Sequence, residues 1–93
     1  MPLSVYTRRC LANGLASESA ADDLADVVDA GSGTIDAITT RRLEIACANR
    51  QVALGIAAKV NAGTALVANQ GAVLGMAINS RVAAAEIAAA LDA

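Results

Sequence analysis

The sequence predicts an all-α protein of three tandem helical hairpins, about six short helices, held in a compact bundle or a short solenoid. Three observations predict this. The chain repeats itself about every 32 residues, three times over. In that register Ser17 matches Asn49 and Ser80, Leu24 matches Ile56 and Ile87, and Val28 matches Val60 and Leu91, while upstream Leu11 matches Leu43 and Leu74. Each copy carries the same order of a capping residue, an apolar stripe at helical spacing and a stop. Alternation at period two never lasts beyond a few residues, so no sheet is expected. The repeats run over about 1–33, 34–64 and 65–93 and make a single domain of residues 1–93.

The first helix opens at Ser4, an N-cap behind apolar Leu3, and carries Leu11 and Leu15 on one face. Ser17 caps the second helix, whose Glu18 and Asp22 suit the positive end of the helix dipole. Ala21, Leu24 and Val28 form its inner stripe, and Gly31-Ser32-Gly33 stops it. The second repeat follows the same order: Ile35 and Asp36 stand where Leu3 and Ser4 stood, and Leu43 with Cys47 makes the stripe. Asn49 caps the next helix, which is lined by Ala53, Ile56 and Val60 and ended by Asn61-Ala62-Gly63. The third repeat starts less cleanly. Leu66 takes the Leu3 position, but Gly71 and Gly75 weaken the helix that follows. Ser80 then caps a last helix through Ile87 and Leu91. Breaks are expected near Ala16, Gly31, Ala48, Gly63 and Asn79. Leu24, Ile56 and Ile87 are the expected core anchors.

Composition narrows the functional classes. About a quarter of the chain is alanine, with no His, Trp or Phe and one Tyr. Only about three to five large aliphatics serve each repeat, and burying one is worth about 1.5–3 kcal/mol. Ordering the backbone opposes this by about 1–2 kcal/mol per residue. The core is therefore thin, and either well-capped helices or a core shared between subunits must support it. A net charge of −2 and a pI near 4.8 disfavour a nucleic-acid partner. The uncharged stretch from Val60 to Ser80 contains Asn61, Asn69, Gln70, Asn79 and three glycines, so no membrane span is expected. The N-terminal residues lack the apolar core of an export signal. Cys47 replaces Leu15 and Ile78 and reads as a small core hydrophobe rather than half of a disulfide with Cys10.

No catalytic signature stands out, and no cofactor or metal is expected. Gly31 to Asp36 has the look of the middle of a calcium loop, but Val28, Ala30 and Thr39 occupy positions that need oxygen ligands. A turn with Asp36 as helix cap fits better. Asp22, Asp23, Asp26 and Asp29 crowd one helix, and the sequence has no His to serve as base beside them. They read as a solvated or partner-facing stripe. The pairs Arg8-Arg9 and Arg41-Arg42 either bridge to acidic residues nearby or grip a partner. Charge is uneven: the first repeat is acidic, the second basic, and the third nearly apolar. Ala83, Ala84, Ala88 and Ala90 surround most of the last helix with small apolar side chains, and such a helix is usually buried on more than one side. The candidate interface is accordingly Arg81, Ala84 and Ala88, with Arg41 and Arg42 as further contacts.

The segment Leu15 to Gly31 (LASESAADDLADVVDAG) resembles Ala-rich segments of small structural proteins of tailed bacteriophages. The resemblance covers about one repeat and carries over no functional residue. It implies a virion component such as a capsid decoration, head-fibre or tail accessory protein, located in the virion or the host cytoplasm. The expectation is a non-enzymatic structural or assembly protein acting in multiple copies, with itself or a larger protein assembly, such as capsid or tail proteins, as partner. The alternative is a soluble adaptor or regulator that binds one protein partner through its third repeat.

Overall fold

The computed structural model describes residues 3–92, and Met1, Pro2 and Ala93 lie outside the described residues. Six helices form: α1 Val5–Leu15, α2 Glu18–Ala30, α3 Ala37–Cys47, α4 Arg50–Ala62, α5 Ala68–Ala77 and α6 Arg81–Asp92. No strand forms among the described residues. Local chemistry sets the limits. At five of the six N-termini a side-chain oxygen accepts from the third backbone amide of its helix. The pairs are Ser4 with Thr7, Ser17 with Ala20, Asp36 with Thr39, Asn49 with Val52 and Ser80 with Ala83, at 2.7–3.2 Å. Ala16, Ala48 and Asn79 turn the chain between the helices of each hairpin in the left-handed conformation, with φ of 55°, 53° and 54°. Gly31 and Gly63 end α2 and α4 with φ of 70° and 67°. At Gly63 glycine is required twice over, because a Cβ would lie 2.6 Å from the Gly31 carbonyl oxygen.

The hairpins α1–α2, α3–α4 and α5–α6 do not stack as a solenoid. Each second helix packs on the first helix of the next hairpin: α2 on α3, α4 on α5, and α6 back on α1. The result is a closed ring of three hairpins with no terminal repeat, so the third repeat needs no solvent-facing end cap. The radius of gyration is 11.0 Å, against about 12 Å for an average domain of this length. Alanine explains the tight fit, since small side chains let helix axes approach. A further close approach is at Gly14, where a Cβ would lie 2.7 Å from Ile78 Cα and 2.9 Å from the Ala77 oxygen.

One core fills the ring. Leu11, Leu43 and Leu74 from the first helices meet Leu24, Ile56 and Ile87 from the second, all fully buried. Val28, Val60 and Leu91 extend the same three rows. Side chains also stitch the ring. The Leu3 amide donates to Asp29 Oδ1 at 2.8 Å, and the equivalent Ile35 amide donates to Asn61 Oδ1 at 2.9 Å. Between hairpins, Asp23 Oδ2 accepts from the Asp36 amide and the Thr39 hydroxyl at 2.9 and 2.8 Å. At the closing junction the repeat-equivalent Glu86 accepts from the Ser4 amide at 2.8 Å and the Ser4 hydroxyl at 3.1 Å.

The third junction solves the same problem differently. Gly55 stands where Asp23 and Glu86 stand, and Gln70 stands where Thr39 and Thr7 stand. Gln70 Oε1 accepts from the Val67 amide at 3.0 Å. A Cβ on Gly55 would lie 2.7 Å from Gln70 Nε2. Two junctions thus use a carboxylate from the preceding hairpin with a threonine, and the third uses a local glutamine with a glycine that makes room for it.

Candidate functional site

With the inner positions committed to the ring, the three hairpins differ mainly along the outer seam between their two helices. In hairpin α1–α2 the seam is bridged. Arg8 lies 2.8 Å from Asp29, 3.1 Å from Asp26 and 3.6 Å from Asp22. Helical phase places the three carboxylates on one face of α2, and Arg8 points across from α1. The hydrogen bonds to Asp26 and Asp29 hold its guanidinium above its ordinary pKa. These carboxylates are therefore partnered by a cation rather than poised as an acid–base pair. Asp23 is engaged separately as the junction cap.

In hairpin α3–α4 the half-buried Glu44 is approached by Arg41 of its own helix and by Arg50 of α4, both at 3.8 Å. Arg42 is exposed on the outer face of α3, as Arg9 is on α1. The two arginine pairs thus behave differently: Arg8 is structural, while Arg41 and Arg42 face outward. Gly31 ends α2, and Asp36 caps α3 through the Thr39 amide at 2.7 Å. That contact, followed by the Thr39 hydroxyl, lowers the Asp36 pKa. Cys10 and Cys47 are free thiols, and burial pushes that of Cys47 up, which disfavours the thiolate.

In hairpin α5–α6 the seam is open. A groove of about 670 Å³ runs between the helices, floored by Gly71, Gly75 and Ala84 and walled by Ala72, Met76, Ala85 and Ala88. Arg81 is the one charged residue lining it. Met76 is 77% exposed, and Val82 beside the groove is 71% exposed. Of the expected interface residues, Arg81, Ala84 and Ala88 line this groove. Ala84, at 4% exposure, lies at its floor beside Gly75. Arg41 and Arg42 belong to a different hairpin and are not part of the groove.

Composition directed attention to the alanines of α6 and missed the contribution of α5. The signal was present as Ala68, Ala72 and Met76 at four-residue spacing, with Gly71 and Gly75 offset by one position on the same side. The glycines are informative because the fold does not demand them. A Cβ at Gly71 would meet nothing within 4 Å, and one at Gly75 would make an ordinary 3.5 Å contact with Ala84. Glycine inside a helix costs about 0.5–1 kcal/mol relative to alanine. Gly71 therefore weakens α5 with no return in packing within the chain.

No family model matches this chain, and no curated protein or solved structure matches it significantly.

Proposed function

We propose that this protein is a non-enzymatic structural or assembly protein that works in multiple copies and packs through the open seam of its third hairpin. The observation that carries the reading is Gly71, a helix-weakening residue that the monomer does not need and that deepens an apolar groove. Small residues on both walls suit close approach of another helix, and the exposed Met76 supplies a deformable apolar contact. The Leu15 to Gly31 resemblance supports a virion setting, as a capsid decoration, head-fibre or tail accessory protein, in the virion or the host cytoplasm. The pairing of Arg8 with Asp22, Asp26 and Asp29 and the raised pKa of Cys47 support a reading without catalysis. No helix among the described residues is long and apolar enough to cross a membrane.

Sedimentation at about 1 M salt tests this, because contacts between exposed charges are screened there while apolar ones persist. Wild type should sediment as a multiple of the 9.3 kDa chain. Ala85→Glu, on the exposed groove wall, should fall to a single chain with its helical signal intact. Wild type at the mass of one chain would contradict the multi-copy reading and favour the adaptor that holds one protein partner through the same hairpin. An Ala85→Glu mass equal to that of wild type would remove the groove from the account.

A further inference from the structure

The outer face of hairpin α3–α4 is unlike the other two. Ile38 and Ile45 on α3 are 68% and 63% exposed, and Leu54 on α4 is 42% exposed. Arg41 and Arg42 lie between the isoleucines in the chain, and Arg50 lies one turn before Leu54. Three aliphatic knobs are thus set among three exposed arginines. In the repeat register Leu54 and Glu44 are the larger residues that stand where Asp22 and Ala12 stand in hairpin α1–α2.

Hairpin α1–α2 presents the opposite relief and the opposite charge. The smaller Ala12 leaves a hollow of about 370 Å³ between its helices, bordered by Val5, Glu18 and Asp22. Asp26 is exposed beside it. Arg8 in the hollow is engaged by Asp29 and Asp26 and, at 3.6 Å, by Asp22, and Arg9 stands on the rim. Five carboxylates against two arginines keep this hairpin acidic, while hairpin α3–α4 has four cations against Asp36 and Glu44.

We infer that the basic, knobbed face of hairpin α3–α4 in one copy docks on the acidic hollow of hairpin α1–α2 in a second copy. Resting on the multi-copy reading above, this assigns it a head-to-tail contact separate from the groove of α5–α6. The two faces lie on different hairpins of the ring, so a docked pair leaves one of each kind free and association continues. Val5 and the aliphatic knobs supply apolar area. Glu18 and Asp22 face Arg42, which forms no ion pair among the described residues, and Arg41 and Arg50, which share the single carboxylate of Glu44 at 3.8 Å. A contact of this kind depends on ionic strength, unlike the apolar groove.

The test uses the full chain carrying Ala85→Glu, so that the groove makes no contribution. The fold itself supplies three of the four substitutions: Arg50 and Leu54 stand where Glu18 and Asp22 stand, which gives Glu18→Arg, Asp22→Leu and Arg50→Glu. In that background the protein should associate at about 0.01 M salt and dissociate at about 1 M, where the Debye lengths are about 30 and 3 Å. Glu18→Arg with Asp22→Leu should weaken self-association about tenfold or more, and so should Arg42→Glu with Arg50→Glu. Mixing the two variants should give a one-to-one dimer that grows no further, since each retains one native face. Salt-independent mass, or a mixture that stays as single chains, would overturn the proposal. So would a chain that stays monomeric at low salt yet binds anionic phospholipid vesicles through Arg42 and Arg50. Failure here leaves the groove reading standing, because that reading is measured at high salt with Ala85 intact.

Discussion

Hairpins α1–α2 and α5–α6 are two versions of one scaffold. Inside, they are nearly the same: Leu11 and Leu24 in one, Leu74 and Ile87 in the other, all buried at equivalent places. Outside, they diverge. One seam is bridged by Arg8 and three aspartates, and the other is lined by glycine and alanine. The comparison teaches that the ring is carried by the inner rows, so outer seams are free to take on different roles. One seam is crossed by charged side chains of its own chain, and the other is lined by small apolar ones.

The largest effects should be common to both hairpins. Leu24→Ala and Ile87→Ala should each destabilise by about 2–5 kcal/mol in chemical denaturation, a large share of the about 5–15 kcal/mol a domain possesses. A large loss in one and none in the other would break the equivalence. Next comes the place where the two hairpins meet. Gly14→Ala pushes a methyl into the backbone at Ala77 and Ile78, and overpacking of this kind costs about 1–3 kcal/mol. The same denaturation assay reads it.

Smaller effects should separate the hairpins. Arg8→Ala removes the bridge from a seam that is partly exposed, so about 1 kcal/mol is expected, shrinking as salt rises. Nothing equivalent can be lost from α5–α6. There Gly71→Ala should raise stability by about 0.5–1 kcal/mol while weakening association through the narrowed groove. Gains in both would contradict the assignment of Gly71 to a contact. The smallest effect concerns the closing junction. The Thr7 hydroxyl and the Ser4 amide and hydroxyl hold Glu86 below its ordinary value of 4.5. Its contribution is present above that value and is lost as pH falls through the depressed folded-state pKa. Glu86→Gln keeps an acceptor without the titration, so acid unfolding curves should be flatter with pH in that window.

Helix limits were legible because caps are local: Ser4, Ser17, Asp36, Asn49 and Ser80 each act on an amide three residues on. The buried rows were legible because Leu11, Leu24 and their equivalents recur at fixed register. Ring closure was not, since a repeat pattern is the same whether its ends meet or stay apart. Its trace lay in two columns that change together, Asp23, Gly55 and Glu86 against Thr39, Gln70 and Thr7. Arg8 and Arg9 look alike in sequence, and only helical phase tells which one reaches α2. Ala84 lies at the floor of the groove rather than on its wall, and its spacing from Ile87 and Leu91 already places it toward the inner side. The groove depends on α5 as much as α6, and glycine reads first as a helix breaker and only then as open space.

A double-mutant cycle at the exceptional junction tests the three-hairpin ring most directly. Gly55→Glu alone should crowd Gln70, and Gln70→Thr alone should leave the Val67 amide without its acceptor. Together they install the carboxylate and threonine found at the other two junctions. The account predicts that the double variant recovers stability beyond the sum of the single effects, with a favourable coupling of about 0.5–3 kcal/mol. Strictly additive losses, with the double variant the least stable of the four proteins, would contradict it.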